Sequence, residues 1–288
     1  MAVDQETRIR ISYRYLRIAP IISVVMLLTA VLIQRSRADC WQTSISAYYF
    51  TAAHSAFVAT LCAIGVSLIV YKGHSDTEDV ILKFAGFFAF IVAMSPTARE
   101  TVCGPGLPVD YDVMSGTRNT VLAVLITSVV AEATRIVVDR SNTMEPPSFW
   151  ARVATVIGWF LVTLGVVAFF VRPDQFQASA HSISAVALFL GIIGVVIANA
   201  RTVPLRSSNP RFRAAYIVIA WTMTLTLVGV ILVHLALSGF GHAVIVAEVL
   251  LIVEFAVFWG VQTAELWGGD GPDHLLGDAA VVPAHSQS

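Results

Sequence analysis

Apolar residues in this chain come in blocks of about twenty, the number a helix needs to cross the hydrocarbon core of a bilayer. Short polar stretches separate the blocks. The pattern predicts eight helices, over Ile18–Ile33, Ala47–Tyr71, Val80–Ser95, Thr120–Val138, Ala151–Val171, Ala180–Ala200, Ala214–Leu237 and His242–Leu266. Ten-residue segments of alternating polarity, the signature of a membrane β-strand, are absent. In lipid a helix satisfies its own backbone groups, so the blocks are read as transmembrane helices. The expected fold is all-α, a polytopic transmembrane helix bundle.

Between the helices the punctuation is irregular. The longest loop, 97–119, holds Gly104, Pro105, Gly106 and Pro108, which marks surface turns. The chain then divides into a basic cytoplasmic lead-in (1–17), a first four-helix half (18–138), a Pro-containing linker (139–150), a second four-helix half (151–266) and a tail (267–288). The tail is rich in Gly, Pro and Asp and reads as disordered. The basic start and first apolar run could be a signal peptide, but no small-x-small cleavage site follows, so the segment is read as a retained helix. The even split admits a 4+4 parallel repeat. His54 and His181 open matching helices, Gly65 and Gly194 follow in Ile-Gly-Val, and Glu132 and Glu254 sit in the last helix of each half.

Composition agrees with the pattern. Hydrophobic residues make up 57% of the chain, charged residues 13%, and the mean hydropathy is +0.76. A soluble domain carries about twice that charge. The net charge of -1 says little, but its distribution sets an orientation. With a cytoplasmic N-terminus, thirteen Lys and Arg fall on the inner side and five on the outer side. The positive-inside rule then places both termini in the cytoplasm. Nothing basic enough to bind nucleic acid stands outside the inner loops. On this topology Cys40 and Cys103 share the outer side and could pair, closing a loop of roughly 60 residues if that side is oxidising.

The candidate chemistry gathers toward the outer leaflet. Tyr48, Thr51, His54 and Ser55 recur at helical spacing in the second helix, and an ionisable group at that depth is a functional-site hypothesis by default. Glu254 lies near the middle of the last helix, where it could hydrogen-bond a neighbour or bind a proton or cation. His54, His181, His234 and His242 fall on one side with Glu248, and imidazoles with a carboxylate can hold zinc or iron. Helix ends also tolerate histidine with no ligand, and no HExxH, HxxxH or CxxC spacing occurs. Glu132 and Arg135 should pair on one helical face. Gln262 and Glu265, at the end of the last helix, read as solvated. Phosphate-binding, dinucleotide and nucleophile-elbow motifs are absent.

The segment SISAYYFTAAHSAFVATLCAIGVSLIVYKG, followed by EDVILKFAGFFAFIVAMSPT, resembles a family of bacterial polytopic membrane proteins of unknown function, often from actinobacteria. The shared features are the Ser-Ile-Ser-x-Tyr-Tyr start, the Tyr71-Lys72-Gly73 turn and the Pro96-Thr97 stop. That resemblance implies an architecture and a bacterial inner (cytoplasmic) membrane, and no activity. More distantly, Ser46, His54, His234 and His242 are similar to the zinc-holding residues of the alkaline ceramidase and adiponectin-receptor hydrolases, although the paired His of their last helix is missing.

Two function classes follow. The first is a transport, channel or scaffold role, with a polar cavity open to the outer face, membrane lipids as partners and no cofactor. The second is a metal-dependent hydrolase acting on a lipid at the outer leaflet, with zinc or iron as cofactor. The absence of catalytic motifs leans toward the non-enzymatic class.

Overall fold

The computed structural model describes residues 2–97, 103–104, 106–107, 112–139, 146–206, 209–236 and 243–267. Side chains 2–7, 9–10, 138–139, 204–206, 233–236 and 243 are not among those described. The tail after Trp267 and most of the linker and of the long 97–119 loop lie outside these residues. Within them the chain is all-helical, with no strand. Eight α-helices run α1 (Ala2–Ala38), α2 (His54–Val70), α3 (Asp76–Met94), α4 (Val113–Asp139), α5 (Phe149–Val171), α6 (Pro173–Arg206), α7 (Pro210–Ala236) and α8 (Ala243–Leu266). Six of them, α1 and α4–α8, are long and apolar enough to cross a membrane. The shorter α2 is also apolar.

The termini of these helices follow local chemistry. Ser75 caps α3, its hydroxyl accepting from Glu78 N at 3.2 Å, a Ser-x-x-Glu capping pattern. Ser148 caps α5 by accepting from Ala151 N. Pro173 and Pro210 open α6 and α7, positions that need no amide hydrogen. Most helices extend beyond their apolar runs, α1 and α6 by several turns, because capped and charged turns continue the helix past the hydrocarbon level.

Six helices form a closed ring. α1 packs on α2, α2 on α3, α3 on α6, α6 on α7, α7 on α8, and α8 returns to α1. Leu68, Leu82, Ile192, Val196, Met223, Phe258 and Trp259 fill its interior. The α4 and α5 helices stand outside, α5 against α3 and α6, α4 lightly against α3. Their outer faces expose Ile126, Val129, Val130, Phe160, Val167 and Phe170. In lipid such faces are already in their preferred solvent.

The α2–α3 seam rests on two glycines. A Cβ on Gly86 would lie 2.6 Å from the Gly65 carbonyl oxygen, and one on Gly65 would lie 3.0 Å from that of Gly86. Small residues let membrane helices approach to backbone contact, where dispersion and packing hold them.

The expected helix over Ala47–Tyr71 is broken. Ser46–Phe50 forms a short 3-10 turn, Thr51 is extended, and α2 starts only at His54. Ser and Thr side chains take backbone partners here and compete with the helix. Ser44 Oγ accepts from Ala47 N, and Thr51 Oγ1 accepts from Ala53 N while donating to Tyr48 O. The freed backbone pairs elsewhere: Leu107 N donates to Phe50 O at 2.8 Å, and Thr51 bridges to Gly106. The Gln42 amide reads both backbone groups of Cys103, at 2.7 and 3.1 Å. Beside it Cys40 and Cys103 form the expected disulfide, with Cα atoms 6.4 Å apart, inside the usual range. Gly104, at φ +80°, admits this approach, since a Cβ there would lie 2.5 Å from Ala38 Cβ.

Two outcomes test this packing. Replacing Gly86 by Val should cost about 1–3 kcal/mol of stability through overpacking, read as a lower unfolding midpoint in detergent. Gly165→Ala, where a Cβ meets nothing within 4 Å, should change little. Equal midpoints for the two variants would mean that α2 and α3 do not touch at Gly86. Intact mass spectrometry after thiol labelling should find Cys62 as the single free cysteine. Three labelled thiols would remove the clasp between residues 40 and 103.

Candidate functional site

Polar side chains gather at both ends of the ring interior, and α8 connects them. Its inward face carries Glu248, Phe255 and Gln262 at intervals of seven residues, with Leu251, Phe258 and Trp259 packed between. Seven residues make about two helical turns, so the three share one face.

At one end Glu248 meets the 3-10 turn. Its Oε2 accepts from Ile45 N at 2.5 Å, and its Oε1 accepts from Ser46 Oγ at 3.4 Å. Ser44 Oγ lies 3.1 Å from Ser46 Oγ and extends the chain of hydroxyls. The turn itself is buried, with Tyr48 and Phe50 packed on Leu27, Val31, Phe57 and Ile245. It packs as a plug between α1, α2 and α8.

At the other end stands a buried cluster that sequence reasoning passed over. Glu78, in the first turn of α3, is only 1% exposed and points into the ring. Its Oε1 accepts from Asn199 Nδ2 of α6 at 2.9 Å and from Gln262 Nε2 of α8 at 3.4 Å. Its Oε2 accepts from His74 N at 2.9 Å, and the His74 ring nitrogen Nδ1 lies 3.8 Å from the same oxygen. Gln262 Nε2 also lies 3.4 Å from Asn199 Oδ1. Asn199 and Gln262 are fully buried. The expectation of a solvated Gln262 is therefore corrected: it turns inward because the carboxylate on α3 needs a donor that lipid cannot supply. Glu265 is also engaged, accepting from Tyr216 Oη at 2.6 Å. Arg17 covers the Tyr71 ring at 5.8 Å, and Tyr71 meets Trp259 edge-on at 5.0 Å.

The sequence-derived candidates do not meet in one place. His54 opens α2 and binds the Tyr49 carbonyl through Nδ1 at 2.7 Å, its ring stacked edge-on on Tyr49. His181 is not at a helix start: it lies in the third turn of α6, buried, with Nδ1 2.8 Å from Ser95 O. Tyr48 and Thr51 are buried in the plug, and Ser55 is exposed. Glu254 faces α7, with Oε1 accepting from Thr226 Oγ1 at 3.2 Å. Among the described residues no three His, Cys, Asp or Glu side chains come close enough to hold a metal. His242 and the side chain of His234 lie outside the described residues. Glu132 and Arg135 pair as expected, Arg135 Nε to Glu132 Oε2 at 2.9 Å, on an exposed face.

A cavity of about 120 Å³ lies outside the ring, between α3, α4, α5 and α6. Phe87, Ile91, Val121, Leu125, Phe169 and Phe176 line it, so it is apolar and differs from the polar, outward-open cavity expected around His54.

Two signals in the sequence mark the missed cluster. Ser75-x-x-Glu78 spells a capping box, and Asn199 is the lone amide within an apolar run. Neither tells that the two side chains meet. No protein-family profile, no curated protein and no solved structure matches the chain.

The cluster is expected to carry stability. Replacing Asn199 by Leu removes a buried donor to a carboxylate and should cost about 2 kcal/mol, read as a lower unfolding midpoint in detergent. An unchanged midpoint would mean that Glu78 does not depend on α6.

Proposed function

We propose that this chain moves a small solute or ion through its six-helix ring in the cytoplasmic membrane of a bacterium. The observation that carries this reading is the inward face of α8. Glu248 and Gln262 stand 14 residues apart on it, about 21 Å at 1.5 Å per residue. That separation spans most of the hydrocarbon core. Each residue joins a polar cluster at one end of the ring, and Leu251, Phe255, Phe258 and Trp259 close the space between. Polar ends flanking an apolar constriction are the arrangement of a closed transport path, and intramembrane ionisable groups facing a bundle interior mark such paths.

The surrounding features agree. The excess of Arg on the Glu78 side supports a cytoplasmic orientation of that side and of both termini. The Cys40–Cys103 disulfide then belongs to an oxidising exterior. The 3-10 plug over Ser46–Phe50, with Thr51 and His54 following it, is the outer gate, and lipids cover the exposed faces of α4 and α5. The resemblance over residues 44–97 fits a bacterial origin.

Flux measurements test the proposal. Vesicles holding the full chain should dissipate an imposed H⁺, Na⁺ or K⁺ gradient faster than empty vesicles. Glu248→Gln should slow that flux about tenfold, equivalent to ~1.4 kcal/mol on the limiting barrier. Wild-type vesicles no leakier than empty ones to all three ions would overturn the reading and leave a scaffold role.

A further inference from the structure

The cluster at the inner end holds more than a helix cap requires. A cap needs one acceptor for the first-turn amides, and the Ser75 hydroxyl supplies it. Glu78 instead turns its carboxylate into the ring, where donors from three elements converge on it. These are all neutral N–H groups. The nearest cation source is His74, 3.8 Å away and 22% exposed, on the loop between α2 and α3.

Gln262 carries the decisive detail. Its side chain is fully buried, and its Oε1 has no hydrogen-bond partner among the described residues. A buried acceptor left open costs about 1–3 kcal/mol. An amide presents a donor and an acceptor on the same carbon, and a half-turn about its last bond exchanges them. With Glu78 ionised, Nε2 faces the carboxylate. With Glu78 protonated, the turned amide offers Oε1 to the new O–H. The site thus satisfies either state of the acid with one small rotation.

We propose that Glu78, framed by Asn199 and Gln262, is a proton-binding site inside the ring. The step is a plain transfer. A hydronium ion gives its proton to Glu78 Oε1, the oxygen that Gln262 faces. The products are water and a neutral carboxylic acid whose O–H lies on the Gln262 side. Neutralising a buried carboxylate lowers its cost of facing the apolar interior.

The other charged groups around the site are engaged or turned away. Lys72 and Asp79 pair at 3.0 Å, and Asp79 also takes Gly73 N. Asp76 is exposed and holds Ser148. Arg17 of α1 covers Tyr71 of the α2–α3 loop. On α8 Glu265 binds Tyr216 of α7, while Arg201 of α6 and Arg152 of α5 are exposed. On α4 Glu132 pairs with Arg135.

This inference names the coupling ion of the proposed transport and in that sense rests on it, but its test needs no transport. Infrared difference spectra of the full chain in lipid discs, taken across pH, report protonated carboxyl groups directly. The wild type should show a titrating carboxyl band that Glu78→Gln abolishes. Burial raises the Glu78 carboxyl, but its contacts with His74 and Asn199 outweigh burial and hold it below its ordinary value, so His74→Gln should move the midpoint upward. If Glu78→Gln fails to fold, Gln262→Met serves instead: it keeps the acid, removes the amide and should shift the band's frequency. A wild-type band indifferent to all three substitutions, or no titrating band while the protein stays folded, makes Glu78 a cap only and overturns the proposal. Flux without a titrating Glu78 defeats this inference alone, and a titrating Glu78 without flux defeats the transport reading alone.

Discussion

A carboxylate placed inside an apolar ring must find its donors within the protein, and Glu78 finds them on three different elements. Its two oxygens reach α6 through Asn199, α8 through Gln262 and the α2–α3 loop through His74 N. Helices that pack in lipid gain little from the hydrophobic effect, because the tails are as apolar as the side chains. Directional bonds of this kind decide which faces turn inward. The rotation of α3, α6 and α8 about their axes follows from one acid that cannot be left alone. The Gly65–Gly86 contact then sets how closely α2 can follow α3.

The opposite end solves the same problem with backbone. Glu248 accepts an amide hydrogen from Ile45, which is free because the chain there has left the helix. Irregular backbone at membrane depth is tolerated only where protein buries it. The plug meets that condition with Tyr48 and Phe50 in the core and Gln42, Cys40 and Cys103 tying it to the neighbouring loop. The ring therefore has a carboxylate at each end, one held by side chains and one held by a turn. Between them lie the buried Phe255, Phe258 and Trp259, large enough to fill the interior.

Much of this was legible in one dimension. Hydrophobic blocks exposed the helices because the thickness of hydrocarbon sets a length that few soluble segments reach. The Cys40–Cys103 pair was legible from side-of-membrane bookkeeping alone. The site was much less so. His54 and His181 drew the eye as ionisable groups, yet each binds a carbonyl of its own neighbourhood, Tyr49 and Ser95. Gln262 looked like a helix-end amide, and Glu78 looked like part of a charged loop.

Order along the chain thus decided the helices, their approximate ends and the Cys40–Cys103 pair, because burial length, proline, glycine and charge act locally. Glu78 is 121 positions from Asn199 and 184 from Gln262, and Asn199 and Gln262 are 63 apart. No periodicity encodes these contacts. Only the closed ring, with α4 and α5 pushed outside it, brings those three side chains within hydrogen-bonding reach, and only there does a solvated-looking glutamine become a buried partner of an acid.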